Sequence, residues 1–179
     1  MEKQKQPIVV NMFAGPGSGK STLAADIFAE LKWNGVNAEL VTEYAKEKIW
    51  EESFKIFQNQ LYIFGKQYHR EKRLTDVDVI VTDSPLLLSV AYNVDLGPTF
   101  DQLVYEVFNQ FDNLNYFVER VKPYNPKGRF QTEEEARIKD QEIFDLLNKY
   151  NISFTNIRGE KETTEIVAKT IINKLNMKG

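Results

Sequence analysis

The residues best able to do chemistry stand together near the N-terminus, in the run Ala14-Gly15-Pro16-Gly17-Ser18-Gly19-Lys20-Ser21-Thr22. Glycines at this spacing let a backbone approach a ligand closely and turn several N–H groups onto one anion. A helix that follows the run aims the positive end of its dipole at the same charge. Gly15, Gly17, Ser18, Gly19 and Thr22 are therefore expected to cradle phosphates. Lys20 is expected to reach the β- and γ-phosphates of ATP, and the Ser21 hydroxyl to ligate Mg2+. Ala14 stands where the usual pattern has its first glycine.

Two carboxylates fall where such a cradle needs them. Asp83 closes the run Val81-Thr82-Asp83, and an acid at the tip of that strand would orient Mg2+ and its waters. It could also cap a helix beginning at Ser84-Pro85. Glu43 follows the second strand, at the sheet edge where ligands of open α/β folds bind. There it can take a proton from an attacking hydroxyl or hold an acceptor in line; its competing role is a first-turn helix acid. Arg120 and Arg129 belong to a polar segment rich in Pro, Gly and cations that follows the fourth strand. Arginines closing from such a segment, with Lys127 next in line, stabilise charge on a phosphoryl group in transfer. Arg137 could reach inward or pair with Glu133 or Glu134. Gln60 and Gln67, seven apart on one helical face, could read the edge of an acceptor ring, with Tyr62, Phe64 and Tyr68 offering faces to stack on.

The elements that must position these groups are legible as alternating runs. Residues 8–13 are short, apolar and β-branched, as a buried parallel strand should be. A helix carrying Leu23, Ile27, Phe28 and Leu31 on one face closes at Asn34-Gly35. Strands are then expected at residues 38–42, 77–82, 116–118 and 152–154. Between them the pattern predicts a two-piece helix from 44 to about 73, broken near Glu52-Ser53, and a short helix over 85–92. A further helix is expected to be capped by Thr99, and another to open on the capping box Thr132-Glu133-Glu134-Glu135. Ile166, Val167, Ile171, Ile172 and Leu175 mark a last amphipathic helix, and Trp33 and Trp50 read as packing residues. Five strands alternating with helices predict a three-layer α/β fold, its five-stranded and mainly parallel sheet covered on both faces. Residues 1–179 are expected to form a single domain with a lid-like insertion at about 121–131.

Composition excludes several classes. The chain has 179 residues, no cysteine and one histidine, His69, so thiolate metal sites, disulfides and a multi-histidine centre are out. A net charge of −3 gives no global attraction for nucleic acid. No apolar run reaches the roughly 18 residues of a membrane span, and the first seven residues do not resemble a signal peptide. A cytoplasmic protein without membrane partners is expected, and the oligomeric state is left open.

Taken in order, the phosphate loop, the acid after strand two, Asp83-Ser84 after strand three and the arginine-bearing segment resemble the small P-loop kinases of nucleosides and nucleotides. Within that group the run Glu43-Tyr44-Ala45-Lys46-Glu47 and the glutamines Gln58, Gln60 and Gln67 are similar to nicotinamide riboside kinase-like domains and to related phage-encoded kinases. The resemblance spans about residues 8–175. It implies a kinase that uses ATP and Mg2+ on a nucleoside, a nucleotide or a related small acceptor, in the host cytoplasm if phage-encoded. Nucleoside and thymidylate kinases often follow the third-strand acid with arginine, where this chain has Ser84-Pro85. Two alternatives stand beside this reading. One is a kinase of a hydroxymethylated pyrimidine within DNA, for which residues 66–73 and 120–129 supply basic stretches. The other is a regulatory P-loop ATPase, against which no C-terminal helical domain follows the sheet.

Overall fold

Every residue of the first apolar run is buried, and this strand, β1 (Ile8–Phe13), is the middle of the sheet. The structure is a computed structural model and describes residues 6–121, 123–125 and 132–177. Among these, β2 (Ala38–Val41), β3 (Val79–Thr82), β4 (Asp112–Glu119) and β5 (Thr155–Arg158) join β1 in the order β2-β3-β1-β4-β5, with every pairing parallel. Val10 sits opposite Val81 on one side and Leu114 on the other. A strand buried on both faces needs apolar residues at consecutive positions, which is why β1 shows no polar alternation.

The two faces separate cleanly. Ile8, Val10 and Met12 pack with Leu23, Ile27 and Leu31 of α1 (Lys20–Trp33) and with the last helix, Glu162–Asn176. Phe13 points the other way, among side chains of four further helices. In chain order α2 is Tyr44–Trp50, α3 Gln60–Lys72, α4 Leu88–Ala91, α5 Gly97–Phe108, α6 Glu133–Lys149 and α7 that last helix. Phe64 of α3, Val104 of α5 and Ile143 of α6 carry this second core. The chain builds β2 and β3 on one side of β1 and then crosses to β4 and β5. The carboxyl ends of the central strands thus open at a topological switch, where α/β sheets bind ligands. No described helix is long and apolar enough to cross a membrane.

Several elements depart from expectation for identifiable reasons. The fifth strand lies at Thr155–Arg158, not at 152–154. Phe154 is drawn into an aromatic cluster with Phe117 and Phe144, while the polar Thr-Asn-Ile-Arg run suits a half-exposed edge strand. Thr99 caps nothing: α5 begins two residues earlier, with Pro98 in the first turn, where a missing N–H costs least. The two-piece helix breaks where expected, at Glu52 with φ of 54°, but a 3₁₀ turn, Phe54–Gln58, then precedes α3. Trp33 and Trp50 are 86% and 71% exposed and so are not packing residues, and Ile166 is likewise on the surface. The Thr132–Glu135 capping box forms as expected.

Behind β1 and β3, α3 buries a carboxyl that the sequence pattern does not flag. Glu71 is 2% exposed, and one of its oxygens has no hydrogen-bond partner. Burial pushes its pKa from 4.5 up to about 8, with Gln67 pulling slightly the other way. The unfolded carboxyl ionises near 4.5 and the folded one near 8, so this group costs stability as pH rises through that window. Glu71→Gln is therefore expected to leave the melting temperature near pH 5 almost unchanged and to raise it at pH 8. At about 1.4 kcal/mol per pKa unit and about 2–4 °C per kcal/mol, the gain is on the order of 10 °C. Melts at the two pH values check it, and an equal shift at both would contradict it.

Candidate active site

The turn after β1 is shaped by what its glycines allow. Gly17 and Gly19 adopt φ of 77° and 102°, a region that side chains with a Cβ rarely occupy. A Cβ on Gly15 would stand 2.6 Å from the Ala136 carbonyl oxygen of α6, so the turn is also pressed against that helix. Gly19 caps α1 without a side-chain bond, which leaves the first-turn N–H groups of α1 facing the turn's concavity. Lys20 Nζ donates to the Gly15 carbonyl at 2.8 Å. Burial lowers the Lys20 pKa, while Glu43, Asp83 and Asp140 act against that shift. The Ser18 hydroxyl is buried and has no partner among the described residues. Ser21 and Thr22 are exposed on the cavity beside the turn. A cation surrounded by acids and set among inward-facing N–H groups is ready for a polyphosphate.

The two predicted carboxylates reach the same place from neighbouring strands. Asp83 follows β3, is 4% exposed, and accepts the Glu43 backbone N–H at 3.0 Å through Oδ1. It thus braces the start of α2 and does not cap the turn after Pro85. Glu43 occupies the N-cap position of α2, but its side chain makes no capping bond. Burial raises the Glu43 pKa, Lys20 counters that, and Asp83 reinforces it.

Lys20, Ser21, Thr22, Glu43, Asp83, Gln60 and Gln67 all line one cavity of about 730 Å³. One end is the phosphate turn. The other is walled by Trp50, Phe54, Phe57, Ile63 and Tyr92. These are not the aromatics expected from helical spacing. Phe64 is in the core, Tyr68 packs on Phe64 and Phe111, and Tyr62 meets Tyr44 at the surface. Gln67 is 3% exposed, and its Oε1 accepts the Tyr44 N–H at 3.1 Å, so its amide is held in place.

Arg120 lies behind the turn instead of in the cavity. Its Nε and Nη2 donate to Asp140 Oδ2 at 3.1 and 2.9 Å, and Nη2 also donates to the Pro16 carbonyl at 3.0 Å. Its guanidinium sits 5.9 Å from the centre of the Tyr124 ring. Arg137 points away from the site and pairs with Glu133 at 2.8 Å. Arg129, Lys127 and most of the lid-like segment lie outside the described residues. The sequence pattern gave no hint of Asp140, because an acid inside a charged helix looks like a solvated face. Gly159 was equally hidden: a Cβ there would stand 2.8 Å from the Ser18 carbonyl oxygen, which shows that the turn after β5 backs the phosphate turn.

The residues present suit a hydrated Mg2+. Ser21, Asp83 and Glu43 share the cavity, but no group of three or more His, Cys, Asp or Glu among the described residues could hold a metal alone. Mg2+ keeps several waters and takes the rest of its ligands from one or two protein oxygens and from phosphates.

Comparison with known proteins agrees with this fold. The chain is 29% identical over 94 residues to the shikimate kinase of Clostridium botulinum (strain Okra / Type B1), a match over 52% of this chain and 49% of that one. It thus spans about half the length of that curated relative. Among solved structures, the NadR protein in complex with NAD and AMP-PNP superposes with a TM-score of 0.66 at 16% identity, over 91% of this chain and 49% of that one. The deoxyadenosine kinase from M. mycoides, with products dCMP and a flexible dCDP bound, superposes with a TM-score of 0.58 at 20% identity, over 94% and 99%. These two likenesses establish the fold, the one that the resemblance to small P-loop kinases implies. A family model described as an AAA domain matches residues 9–163, and it is to this AAA domain family that the chain belongs.

Proposed function

We propose that the chain is an ATP- and Mg2+-dependent phosphotransferase that moves the γ-phosphate to a hydroxyl of a nucleoside-like acceptor. The observation that carries this reading is the two-ended cavity, with a phosphate cradle at one end, an aromatic-walled chamber at the other, and Glu43 and Asp83 between them. A hydrolysing switch needs room for a water; about 730 Å³ leaves room for a second substrate. In this reading Lys20 and the N–H groups of the turn hold the β- and γ-phosphates. Ser21 and Asp83 would hold Mg2+, which when bound supplies charge neutralisation on the phosphate oxygens. Glu43 accepts the proton of the acceptor hydroxyl as its oxygen bonds to the γ-phosphorus and the β–γ bridging oxygen departs with ADP. Gln60 and Gln67 orient the acceptor's polar edge, and Trp50 or Phe57 stacks on its ring.

An unphosphorylated acceptor fits better than a nucleotide. Among the described residues lining the cavity there is no arginine, and beyond Lys20 the one cation is Lys46. A phosphate on the acceptor would need a charged clamp there. The NadR protein has also been solved in complex with NR, and the chain follows 85% of its length along that structure. A base within DNA is less well served, because Arg70, in the basic stretch of α3, is tied to Glu47 at 2.8 Å and to the Thr42 carbonyl.

The test is ATP consumption with matched pairs of nucleosides and their 5′-monophosphates, together with duplexes carrying hydroxymethylated pyrimidines. Stimulation by nucleosides over their monophosphates supports the reading. Stimulation by DNA alone, or none by any acceptor, contradicts it. Asp83→Asn is expected to lower turnover by about 10²-fold, as loss of one charge-stabilising group does, and excess Mg2+ should recover part of the loss. Titrating Mg2+ against both proteins checks this; identical Mg2+ curves would leave Asp83 as a brace for Glu43 alone.

A further inference from the structure

The side chain of Asp140 ties three parts of the site together from outside the cavity. Its Oδ1 accepts the Gly15 N–H at 2.6 Å, and its Oδ2 accepts both Nε and Nη2 of Arg120. Arg120 Nη2 is shared with the Pro16 carbonyl, so the carboxylate and the guanidinium together grip the outer wall of the phosphate turn at consecutive residues. The Arg120 side chain is 5% exposed, which makes this pair the most buried ion pair among the described residues. With Nε and Nη2 committed, Nη1 is left buried and without a partner among the described residues. That nitrogen stands 3.2 Å from where a Cβ on Gly17 would be, so it faces the turn.

We infer that Asp140 is a positioning residue for the phosphate cradle: it fixes the Gly15 end of the turn directly and, by orienting Arg120, the Pro16 carbonyl beside it. Asp140 sits in α6, the helix that follows the lid-like segment, while Arg120 stands at the opposite end of that segment. The carboxylate therefore joins α6 and Arg120 to each other and to the turn. A helix that merely packed on the turn would need only the contact of Gly15 with the Ala136 carbonyl. The hydrogen bonds add a directional constraint on the Gly15 N–H and the Pro16 carbonyl.

This inference rests on the phosphotransferase reading for its effect on turnover, but not for its effect on the cradle. The test therefore has two arms, each applied to the full chain with Asp140→Asn, Asp140→Glu, Arg120→Ala and the double variant Arg120→Ala/Asp140→Asn. In the first arm, binding of AMP-PNP and hydrogen exchange of the peptide spanning Gly15 are measured. Asp140→Asn is expected to weaken binding about 10-fold and to speed exchange at Gly15, and Asp140→Glu to recover part of both. In the double variant the loss should be greater than in Arg120→Ala alone, because the Gly15 bond goes only with Asp140, yet less than the sum of the two single losses, because the Asp140–Arg120 pair is shared between them. In the second arm, kcat should fall more than the acceptor KM rises. Additive losses, or wild-type exchange at Gly15 in Asp140→Asn, would overturn the inference. If the wild-type chain shows no transfer to any acceptor while the first arm behaves as expected, the phosphotransferase reading fails and the role of Asp140 in the cradle stands. Should Asp140→Asn melt below assay temperature, Asp140→Glu carries both arms, with faster Gly15 exchange and weaker AMP-PNP binding expected and wild-type values overturning.

Discussion

Lys20→Ala is expected to abolish phosphoryl transfer, by about three orders of magnitude or more, and to leave the melting temperature close to that of the parent. The ammonium is desolvated, and its one hydrogen bond to the protein goes to the Gly15 carbonyl of the same turn. It therefore holds together little of the core. What it does is offset Glu43, Asp83 and Asp140, all of which act on it electrostatically. Without it, a polyphosphate entering the turn would meet Glu43 and Asp83 with no cation to offset them, while Asp140 stays paired with Arg120. Loss of binding and loss of turnover should then occur together, in contrast to variants on the acceptor side. Binding of AMP-PNP measured beside a thermal melt checks both halves. A folded variant with near-normal transfer would remove the cradle assignment altogether.

Glu43→Gln is expected to reduce turnover by about 10²–10⁴-fold, the range of a lost general base, with nucleotide affinity changed only a few-fold. Glu43 is placed by the Asp83 bond to its backbone N–H and not by its own side chain, so the amide variant should keep the local fold. The pH profile gives an independent check. Burial and Asp83 raise the Glu43 pKa above 4.5, while Lys20 lowers it. A base with a raised pKa is protonated, and inactive, over a wider acid range. Transfer by the wild type should therefore climb with pH through that raised value, and the same limb should vanish in Glu43→Gln. Unchanged turnover with weakened nucleotide binding would move Glu43 to the metal side of the site.

Much of this arrangement is legible in the residues because it is local. The phosphate turn can be read from Gly15 to Thr22, since left-handed glycines and a following helix are written in consecutive positions. Glu43 and Asp83 can be placed because strand ends are marked by the apolar runs before them. The chamber was harder. Helical spacing pointed to Tyr62, Phe64 and Tyr68, yet Phe64 is in the core, Tyr68 packs on Phe64 and Phe111, and Tyr62 meets Tyr44 at the surface. Trp50, Phe54 and Phe57 line the chamber instead, from the end of α2 and the 3₁₀ turn after it, pieces too short for a period to show. The edge strand β5 escaped because only one neighbour covers it, so its residues need not be apolar. Asp140 was invisible for a third reason: its partners lie 125 and 20 residues away, and a single acid in a helix carries no signature of either.

The most direct test of the central claim is the fate of the γ-phosphate when ATP labelled there is incubated with the chain, Mg2+ and a nucleoside panel. The account predicts that label appears on an acceptor hydroxyl, that release of inorganic phosphate stays slow, and that Lys20→Ala removes the labelled product. Label found only in inorganic phosphate, at a rate no acceptor alters, would contradict it and assign the cavity to a hydrolysing ATPase.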